Sequence, residues 1–360
     1  MVKEFVEQYL REFVSYKTNR WCYEDGILLT ACVALYESTN DKKYKDFVID
    51  YLNKFVNEDG CPMGYNLTDY NIDDVQSATV LPWAYKETKE EKFNKAIEIF
   101  YKQLLGHPRC KCGNFFHKKR YPYQVWMDGL YMGQVFYCKY SVDRKLDKNI
   151  DDIVSQFKNV RKYLFDEERK LYVHAYDENK VMQWADKVTG KAPNVWSRAC
   201  GWMMMALVNI YEIASPVYKD KVSFIPSMFK EMIDGLKPYV DKEHFMIYQV
   251  VDHIGEKGNY LETSGSSMMA FSLLKAYRLG MVDKSYQELG LKMYEGITKT
   301  YLKETDGHYS LGGICQVAGL DNERRNGSAE YYYSEKICEN EVKGVAPYMM
   351  LVSEVLRKDN

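Results

Sequence analysis

The sequence predicts an all-α fold, an (α/α)6 barrel in which six helical hairpins form a ring. Three observations predict this fold. Apolar residues recur with a helical period in about twelve segments. Short and long connections alternate between these segments, so that twelve helices make six hairpins. A weak repeat of about 50 to 70 residues runs through the long connections.

The helical segments follow one another in a regular order along the chain. The predicted helices lie near residues 3–17, 24–39, 41–58, 72–87, 89–106, 125–141, 146–165, 198–214, 219–240, 262–280, 284–302 and 343–357. Short polar connections such as 38–41 and 280–283 follow the even-numbered helices, and long connections follow the odd-numbered ones. No linker rich in Pro, Gly or Ser divides the chain, which predicts a single domain over residues 1–360.

The long connections share a Gly or polar residue next to aromatic residues, as in 60–65 and 113–117. If successive helices run antiparallel, all of these loops emerge at one end of the barrel. We therefore expect a deep, aromatic-lined cleft at the long-loop end. The inner helices should carry small and apolar residues, and the outer helices a charged, solvated face.

Composition excludes several classes of ligand. With 49 Lys and Arg against 51 Asp and Glu, the net charge of -2 gives no electrostatic case for nucleic acid or an anionic membrane. No run approaches the roughly 18 apolar residues of a membrane span. Aromatic residues make up 15% of the chain, with 32 Tyr against 15 Phe. Tyrosine combines a flat apolar face with a hydroxyl, a combination that suits a carbohydrate cleft.

The cysteines and the first residues indicate the compartment. Nine Cys, an odd number, show no metal-ligand spacing, and we interpret them as reduced thiols. The first helix is amphipathic and contains acids where a signal peptide would be apolar, so a cytoplasmic location is expected. The sequence predicts no metal or organic cofactor, and it gives no basis for predicting the oligomeric state.

Asp128 lies in a stretch rich in aromatic residues and Met, residues 121–132, which resembles the start of a buried helix. A carboxylate among apolar side chains either finds partners or binds a proton. We expect the pKa of Asp128 to rise toward the range of a general acid at neutral pH. The alternative, equally favoured by this segment alone, is an Asp that caps the helix.

Other polar residues also open predicted inner helices. Asp73 and Asp74 begin one helix, where a capping role is favoured. Arg198 begins another and is equally suited to gripping a ligand carboxylate or pairing with an internal acid. Residues 262–267 suit a helix start with hydroxyl caps. His117 and His174 fall in long loops, where a solvated His is the default, and neither has a second ligand at metal spacing.

The order of these motifs resembles a known family. The order is Asn71-Ile72-Asp73-Asp74, then His117-Lys118 with Trp126-Met127-Asp128-Gly129, then Trp196-Ser197-Arg198-x-x-Gly201-Trp202, then Glu262-Thr263-Ser264-Gly265-Ser266. It resembles the unsaturated rhamnogalacturonyl hydrolases of glycoside hydrolase family 105 and, next to them, the unsaturated glucuronyl hydrolases of family 88. The similarity runs over nearly the whole chain.

The resemblance implies an (α/α)6 barrel and an unusual hydrolysis. The substrate would be a short oligosaccharide that begins with a 4,5-unsaturated uronic acid, usually followed in family 105 by rhamnose. Asp128 would protonate C4 of the enol ether and water would add at C5. The resulting hemiketal would collapse to a 4-deoxy-5-keto uronate and the remaining sugar.

The resemblance also assigns roles to residues. Asp73 would be the second carboxylate, preferred over its neighbour Asp74 by motif register only. Arg198 would bind the uronate carboxylate. The remaining implied ligands of the sugar are the donors His117, Lys118 and His174 and the aromatic residues Tyr23, Trp126 and Trp196. Ala199 and Cys200 stand where Gly and Asn are commoner in the family, which puts the pocket near Arg198 in doubt.

Three alternatives stay open. The first is a family 88 type of unsaturated glucuronyl hydrolase. The second is a retaining or inverting glycosidase that acts on saturated glycosidic bonds with two carboxylates. The third is a carbohydrate-binding barrel without catalysis, since fold alone does not fix function.

Overall fold

The computed structural model describes residues 1–357 and shows a closed double ring of helices. The helices are α1 (Val2–Arg11), α2 (Tyr23–Thr39), α3 (Lys42–Phe55), α4 (Ile72–Gln76), α5 (Leu81–Thr88), α6 (Glu91–Gly106), α7 (Met127–Asp143), α8 (Asp147–Leu164), α9 (Ser197–Tyr218), α10 (Ile225–Leu236), α11 (Thr263–Arg278), α12 (Lys284–Tyr301), α13 (Ala329–Ser334) and α14 (Val342–Leu356). A 3-10 turn, Ser77–Val80, joins α4 to α5, so that the two act as one inner helix.

Six helical units form the inner ring. In order around it, α2, α4 with α5, α7, α9, α11 and α14 each pack against the next, and α14 packs against α2 to close the ring. The helices α3, α6, α8, α10 and α12 each pack on the inner helix that precedes them, and α1 contacts α14 through Phe5 and Tyr348. The predicted (α/α)6 barrel is therefore confirmed.

Side-chain pattern explains which helices lie inside. On α8 the buried apolar residues follow the 3–4 spacing of one helix face, as at Ile150, Ile153, Phe157 and Val160, and the opposite face is solvated. On α9, by contrast, every residue from 197 to 208 is buried. Gly201 lets α9 approach α11 closely, because a Cβ there would lie 2.6 Å from Met268.

Within residues 1–357, eight short strands lie in the long connections, and the sequence pattern did not predict them. They are β1 (Gln124–Trp126), β2 (Phe165–Asp166), β3 (Leu171–Tyr172), β4 (Ala175–Asp177), β5 (Leu302–Thr305), β6 (His308–Leu311), β7 (Ile314–Cys315) and β8 (Ile337–Cys338). They form four antiparallel pairs, β1–β4, β2–β3, β5–β6 and β7–β8. The β1–β4 pair sets Trp126 opposite Ala175, which brings the start of α7 beside residue 174.

Some predicted boundaries differ from the observed ones. The first helix ends at Arg11 rather than near 17, because the backbone N–H of Tyr16 donates to Asp25 on α2 at 2.9 Å and draws the chain inward. The ninth predicted helix begins at Ile225 rather than near 219, and the short α13 was not predicted. Within residues 1–357, no helix is both long and apolar enough to cross a membrane.

Candidate active site

A cavity of about 660 Å³ opens at the end of the barrel where the inner helices begin. Eight of the nine predicted site residues line it, namely Tyr23, Asp73, His117, Lys118, Trp126, Asp128, Trp196 and Arg198. His174 lies directly behind the wall. The cavity is at the long-loop end of the barrel, as expected from the alternation of short and long connections.

The same position in each inner helix supplies a polar residue at the cavity end of the barrel, and we call this position the register of the inner ring. The second residue of every inner helix is polar and largely buried: Glu24, Asp73, Asp128, Arg198, Ser264 and Lys343. The first four line the cavity, and the last two are covered. Because all six helices start at this end, their dipoles direct positive potential into the cavity. This position therefore favours carboxylate side chains and anionic ligands.

The cavity is more basic than the whole chain. Seven Lys and Arg residues line it against five Asp and Glu, whereas the chain as a whole carries a net charge of -2. The cations are Lys17, Arg20, Lys118, Lys119, Arg120, Arg198 and Arg325. Together with the helix dipoles, this excess suits a small anionic substrate.

Asp128 does not cap its helix. Trp126 is the N-cap residue of α7, and no side chain caps that end. One carboxylate oxygen, Oδ2, lies 3.2 Å from Nε2 of His174, without the alignment of a hydrogen bond. The helix-cap interpretation of Asp128 is therefore wrong.

His174 is a buried support for Asp128. Its side chain is completely buried, and its Nδ1 lies 2.7 Å from the hydroxyl of Tyr332. The hydroxyl fixes the ring, so that Nε2 is turned toward Asp128. The default of a solvated loop histidine is wrong here, and His174 does not line the cavity.

Asp73 is held ionised by basic neighbours. Asn71 caps α4 by accepting from the N–H of Asp73, so the capping interpretation of Asp73 is also wrong. Its carboxylate pairs with Lys118 and lies 3.6 Å from Nε2 of His117. Burial alone would raise the pKa of Asp73, but the ammonium group of Lys118 holds it below its ordinary value.

His117 is neutral near neutral pH. Only 4% of it is exposed, so it too is not a solvated histidine. Burial lowers the pKa of His117 to about 4, against the opposing effect of Asp73. Its backbone carbonyl accepts from Ile72 and its N–H donates to Gln124, which joins the start of α4 to β1.

Asp74 also lines the cavity, but its neighbours differ from those of Asp73. Its Oδ2 lies 3.5 Å from Arg20. Burial and the negative charge of Asp73 raise the pKa of Asp74 to about 6. The two adjacent acids therefore have pKa values displaced in opposite directions. That difference suits Asp73 to the role of a permanent carboxylate.

Arg198 has the structural role that the sequence left open, and ligand binding stays a prediction. Its Nε donates to Ser264 at 2.7 Å, its Nη2 donates to the carbonyl of Cys315, and Nη2 lies 3.6 Å from Glu262. These contacts tie Arg198 to the structure. Its Nη1 makes no hydrogen bond within the described part of the chain, and Arg198 lines the cavity. One arm of the guanidinium is thus free for a ligand.

An aromatic stack forms one wall of the cavity. The rings of His117 and Trp126 are 4.5 Å apart and nearly parallel, and the ring of Tyr121 is nearly parallel to both, 5.4 Å from Trp126 and 6.5 Å from His117. The guanidinium of Arg120 lies 4.8 Å over Tyr121. This wall is a flat surface of the kind that packs against the C–H face of a sugar.

Sequence reasoning missed part of the lining. Glu24, Arg20, Tyr121 and Arg120 line the cavity but were not predicted. Glu24 carries the same pattern as Asp128, a carboxylate in the first turn of an otherwise apolar helix, and that pattern could have identified it. Arg20 precedes α2 in an irregular segment and has no such pattern.

Comparison with known proteins decides the family. The sequence model described as Glycosyl Hydrolase Family 88 matches residues 1–358. The chain belongs to this family. A solved glycoside hydrolase of family 105 from C. acetobutylicum is 40% identical, with 98% of each chain covered and a TM-score of 0.93. The resemblance to family 105 and its family 88 relatives is therefore confirmed, and the protein is a glycoside hydrolase.

More distant relatives have named activities. The unsaturated rhamnogalacturonyl hydrolase YesR of Bacillus subtilis is 23% identical over 268 residues, which is 72% of each protein. The unsaturated glucuronyl hydrolase of Bacillus sp. GL1 shares the fold at 15% identity, with 93% of this chain and 86% of that chain covered and a TM-score of 0.63.

Proposed function

We propose that this glycoside hydrolase removes a 4,5-unsaturated uronic acid from the non-reducing end of lyase-generated oligosaccharides, with rhamnose as the next sugar. The observation that carries the proposal is the position of Asp128. It lines a basic cavity, its carboxylate makes no hydrogen bond that would fix it as a helix cap, and buried His174 backs it. The activity named for YesR supports rhamnose as the adjacent sugar.

In the proposed reaction Asp128 donates a proton to C4 of the enol ether. Positive charge develops at C5 and the ring oxygen, and water adds to C5 as it loses a proton to the Asp128 carboxylate. The C5 hemiketal then opens to a ketone. The hemiacetal left at C1 releases the neighbouring sugar, so the products are a 4-deoxy-5-keto uronate and the shortened oligosaccharide.

The neighbouring residues assist this step. Asp73, kept ionised by Lys118, orients water or the sugar hydroxyls. The free arm of Arg198 binds the uronate carboxylate, and the stacked wall around Trp126 packs on the pyranose ring. Tyr23 and Trp196 also line the cavity, and the Arg198 guanidinium lies over the Trp196 ring, 5.4 Å from its centre.

The second candidate function is an unsaturated glucuronyl hydrolase. The chemistry of the substrates limits how the two activities can differ. Galacturonate and glucuronate differ only at C4, and elimination makes that carbon planar. Both therefore give the same unsaturated ring. The enzyme can distinguish them only through the configuration at C1 and the attached sugar, so both kinds of disaccharide must be tested.

The experiment follows the ultraviolet absorbance of the conjugated enol ether carboxylate. The purified protein is mixed with unsaturated galacturonyl-rhamnose or an unsaturated glucuronyl disaccharide, and a saturated disaccharide serves as control. In D2O, protonation at C4 must place deuterium on that carbon, as seen by mass spectrometry at early times.

The outcomes separate the alternatives. Loss of absorbance with deuterium at C4 supports the proposal. Cleavage of the saturated disaccharide, or release of sugar without deuterium at C4, would show a conventional glycosidase. Binding of the unsaturated disaccharides without any turnover would favour a carbohydrate-binding barrel.

A further inference from the structure

Glu24 is a buried carboxylate without a partner. It is the second residue of α2, in the register of Asp73 and Asp128, and it lines the same cavity. Only 7% of it is exposed, and its Oε2 has no hydrogen-bond partner among residues 1–357. An unsatisfied buried carboxylate is costly, so its retention calls for an explanation beyond packing.

No other residue among 1–357 forms a hydrogen bond or an ion pair with the Glu24 carboxylate. The end of α2 has no side-chain cap, and Glu24 makes no ion pair within 4.0 Å in the described chain. Burial raises the pKa of Glu24, and the charges of Lys343 and Lys17 only partly oppose this effect. Glu262 is a useful contrast, because its buried carboxylate accepts from Ser264, Gly265 and Cys315.

The position of Glu24 in the inner ring indicates which part of a bound sugar it would contact. Around the inner ring, α2 lies opposite α9, with α4 and α7 between them on one side. Glu24 is thus across the cavity from Arg198, and Asp73 and Asp128 follow in order between the two. In a pyranose ring, C2 is opposite C5. A uronate with its C5 carboxylate at Arg198 and its C4–C5 bond at Asp128 therefore turns its C2 and C3 hydroxyls toward Glu24.

We propose that Glu24 forms a hydroxyl-binding subsite that accepts hydrogen bonds from the C2 and C3 hydroxyls of the unsaturated uronate. This inference rests on the proposed function, since it uses the orientation of the uronate. The subsite fixes the ring relative to Asp128. It also makes the enzyme selective, because a sulfate ester at C2 would bring a second anion against the Glu24 carboxylate.

The test compares two enzymes on three substrates. Wild type and Glu24→Ala are assayed on the unsaturated disaccharide and on its 2-deoxy and 3-deoxy analogues. Loss of a hydrogen bond to a buried charged group should cost wild type about 10- to 100-fold in kcat/KM on at least one analogue. Glu24→Ala should lose a similar factor on the parent disaccharide and little more on that analogue.

Controls separate binding from folding. Glu24→Gln keeps the size of the side chain, and Glu37→Gln changes a half-exposed glutamate at the other end of α2. Thermal unfolding of each variant is recorded. If the loss in Glu24→Ala is the same factor on parent and analogues, the role is structural and the inference is overturned. A wild type that treats all three substrates alike would overturn it as well.

A binding measurement keeps this inference separate from the proposed function. Affinities of the parent and the deoxy disaccharides are determined by calorimetry with wild type and Glu24→Ala. If turnover is absent but wild type prefers the parent and Glu24→Ala does not, the proposed reaction fails and the subsite stands. If turnover occurs and the affinities show no such preference, the reaction stands and the subsite fails.

Discussion

The inner ring has an open part of four helices and a covered part of two, and the second residue of each helix is polar in both. In the open part, the second residues of α2, α4, α7 and α9 line the cavity. In the covered part, α11 and α14, Ser264 and Lys343 occupy the same position but already have hydrogen-bond partners. Ser264 accepts from Arg198 and donates to Glu262, and Lys343 donates to Glu341 at 2.5 Å and to Tyr16 at 3.1 Å. The fold thus places a polar group at the start of every inner helix. The neighbouring side chains decide whether that group is free to bind a ligand.

The largest effect should come from Asp128. Asp128→Asn removes the proposed proton donor, so kcat should fall at least about 10³-fold. The melting temperature should change little, because this carboxylate neither caps α7 nor makes a hydrogen bond. Loss of substrate absorbance measures the rate. Asp46→Asn, an exposed aspartate on α3, is the matched control. A variant with a tenth of the normal rate would remove Asp128 from the chemistry.

The second effect concerns the charge on Asp73. Lys118→Met removes the main cation that lowers the pKa of Asp73. That pKa should then rise, so the carboxylate needs a higher pH to ionise. We expect activity at pH 5 to fall about tenfold or more, with partial recovery at pH 8. A pH–rate profile compares this variant with Lys102→Met, which changes an exposed cation on α6 outside the cavity. Equal losses at both pH values would contradict the role of Asp73 as a permanent carboxylate.

The covered part should respond mainly in stability. Lys343 is 1% exposed and pairs with Glu341. Lys343→Met leaves Glu341, whose side chain is only 10% exposed, without its partner, so the free energy of unfolding should fall by about 3 kcal/mol. The kcat of the folded protein should fall far less than in Asp128→Asn, because the cavity loses only the charge of Lys343 near Glu24. Urea unfolding, with Lys336→Met as an exposed control, gives the stability. A loss of kcat as large as in Asp128→Asn, without loss of stability, would show that the covered part also contributes to catalysis.

The smallest effect is a pH dependence of stability at Asp74. Its pKa is raised to about 6 in the folded protein from an ordinary 3.8. Its stabilising contribution is therefore fully present below about pH 4 and is lost as the pH rises through 6. Asp74→Asn lacks this loss. Its free energy of unfolding relative to wild type should thus increase by about 2 kcal/mol between pH 4 and pH 8. Parallel unfolding curves at every pH would contradict the assignment.

The ring could be predicted because its physical requirements are periodic. Outer helices need one apolar face and inner helices need apolar residues all round, and both patterns are visible in the sequence. The strands have two to four residues each, too short to show an alternating pattern. The early end of α1 could not be foreseen, because it depends on a hydrogen bond from Tyr16 to Asp25 on another helix.

The site was predictable where burial conflicts with charge. Asp128 stands out because a carboxylate in an apolar segment is costly, and the motif order located Asp73 and Arg198. The support from His174 was not predictable, since it depends on the pairing of β1 with β4 across some fifty residues. The contacts that hold Arg198 in place were also not predictable, because Ser264 and Cys315 reach it from other elements.

The stacked wall has a consequence for experiments on this enzyme. Trp126 lies against the rings of His117 and Tyr121, at the surface that a sugar would cover. Its indole emission should therefore change when a ligand displaces water from the cavity, and the difference between wild type and Trp126→Phe isolates that change from the five other tryptophans. The protein thus carries an intrinsic optical reporter of occupancy, so ligand affinities can be measured without labels and without turnover.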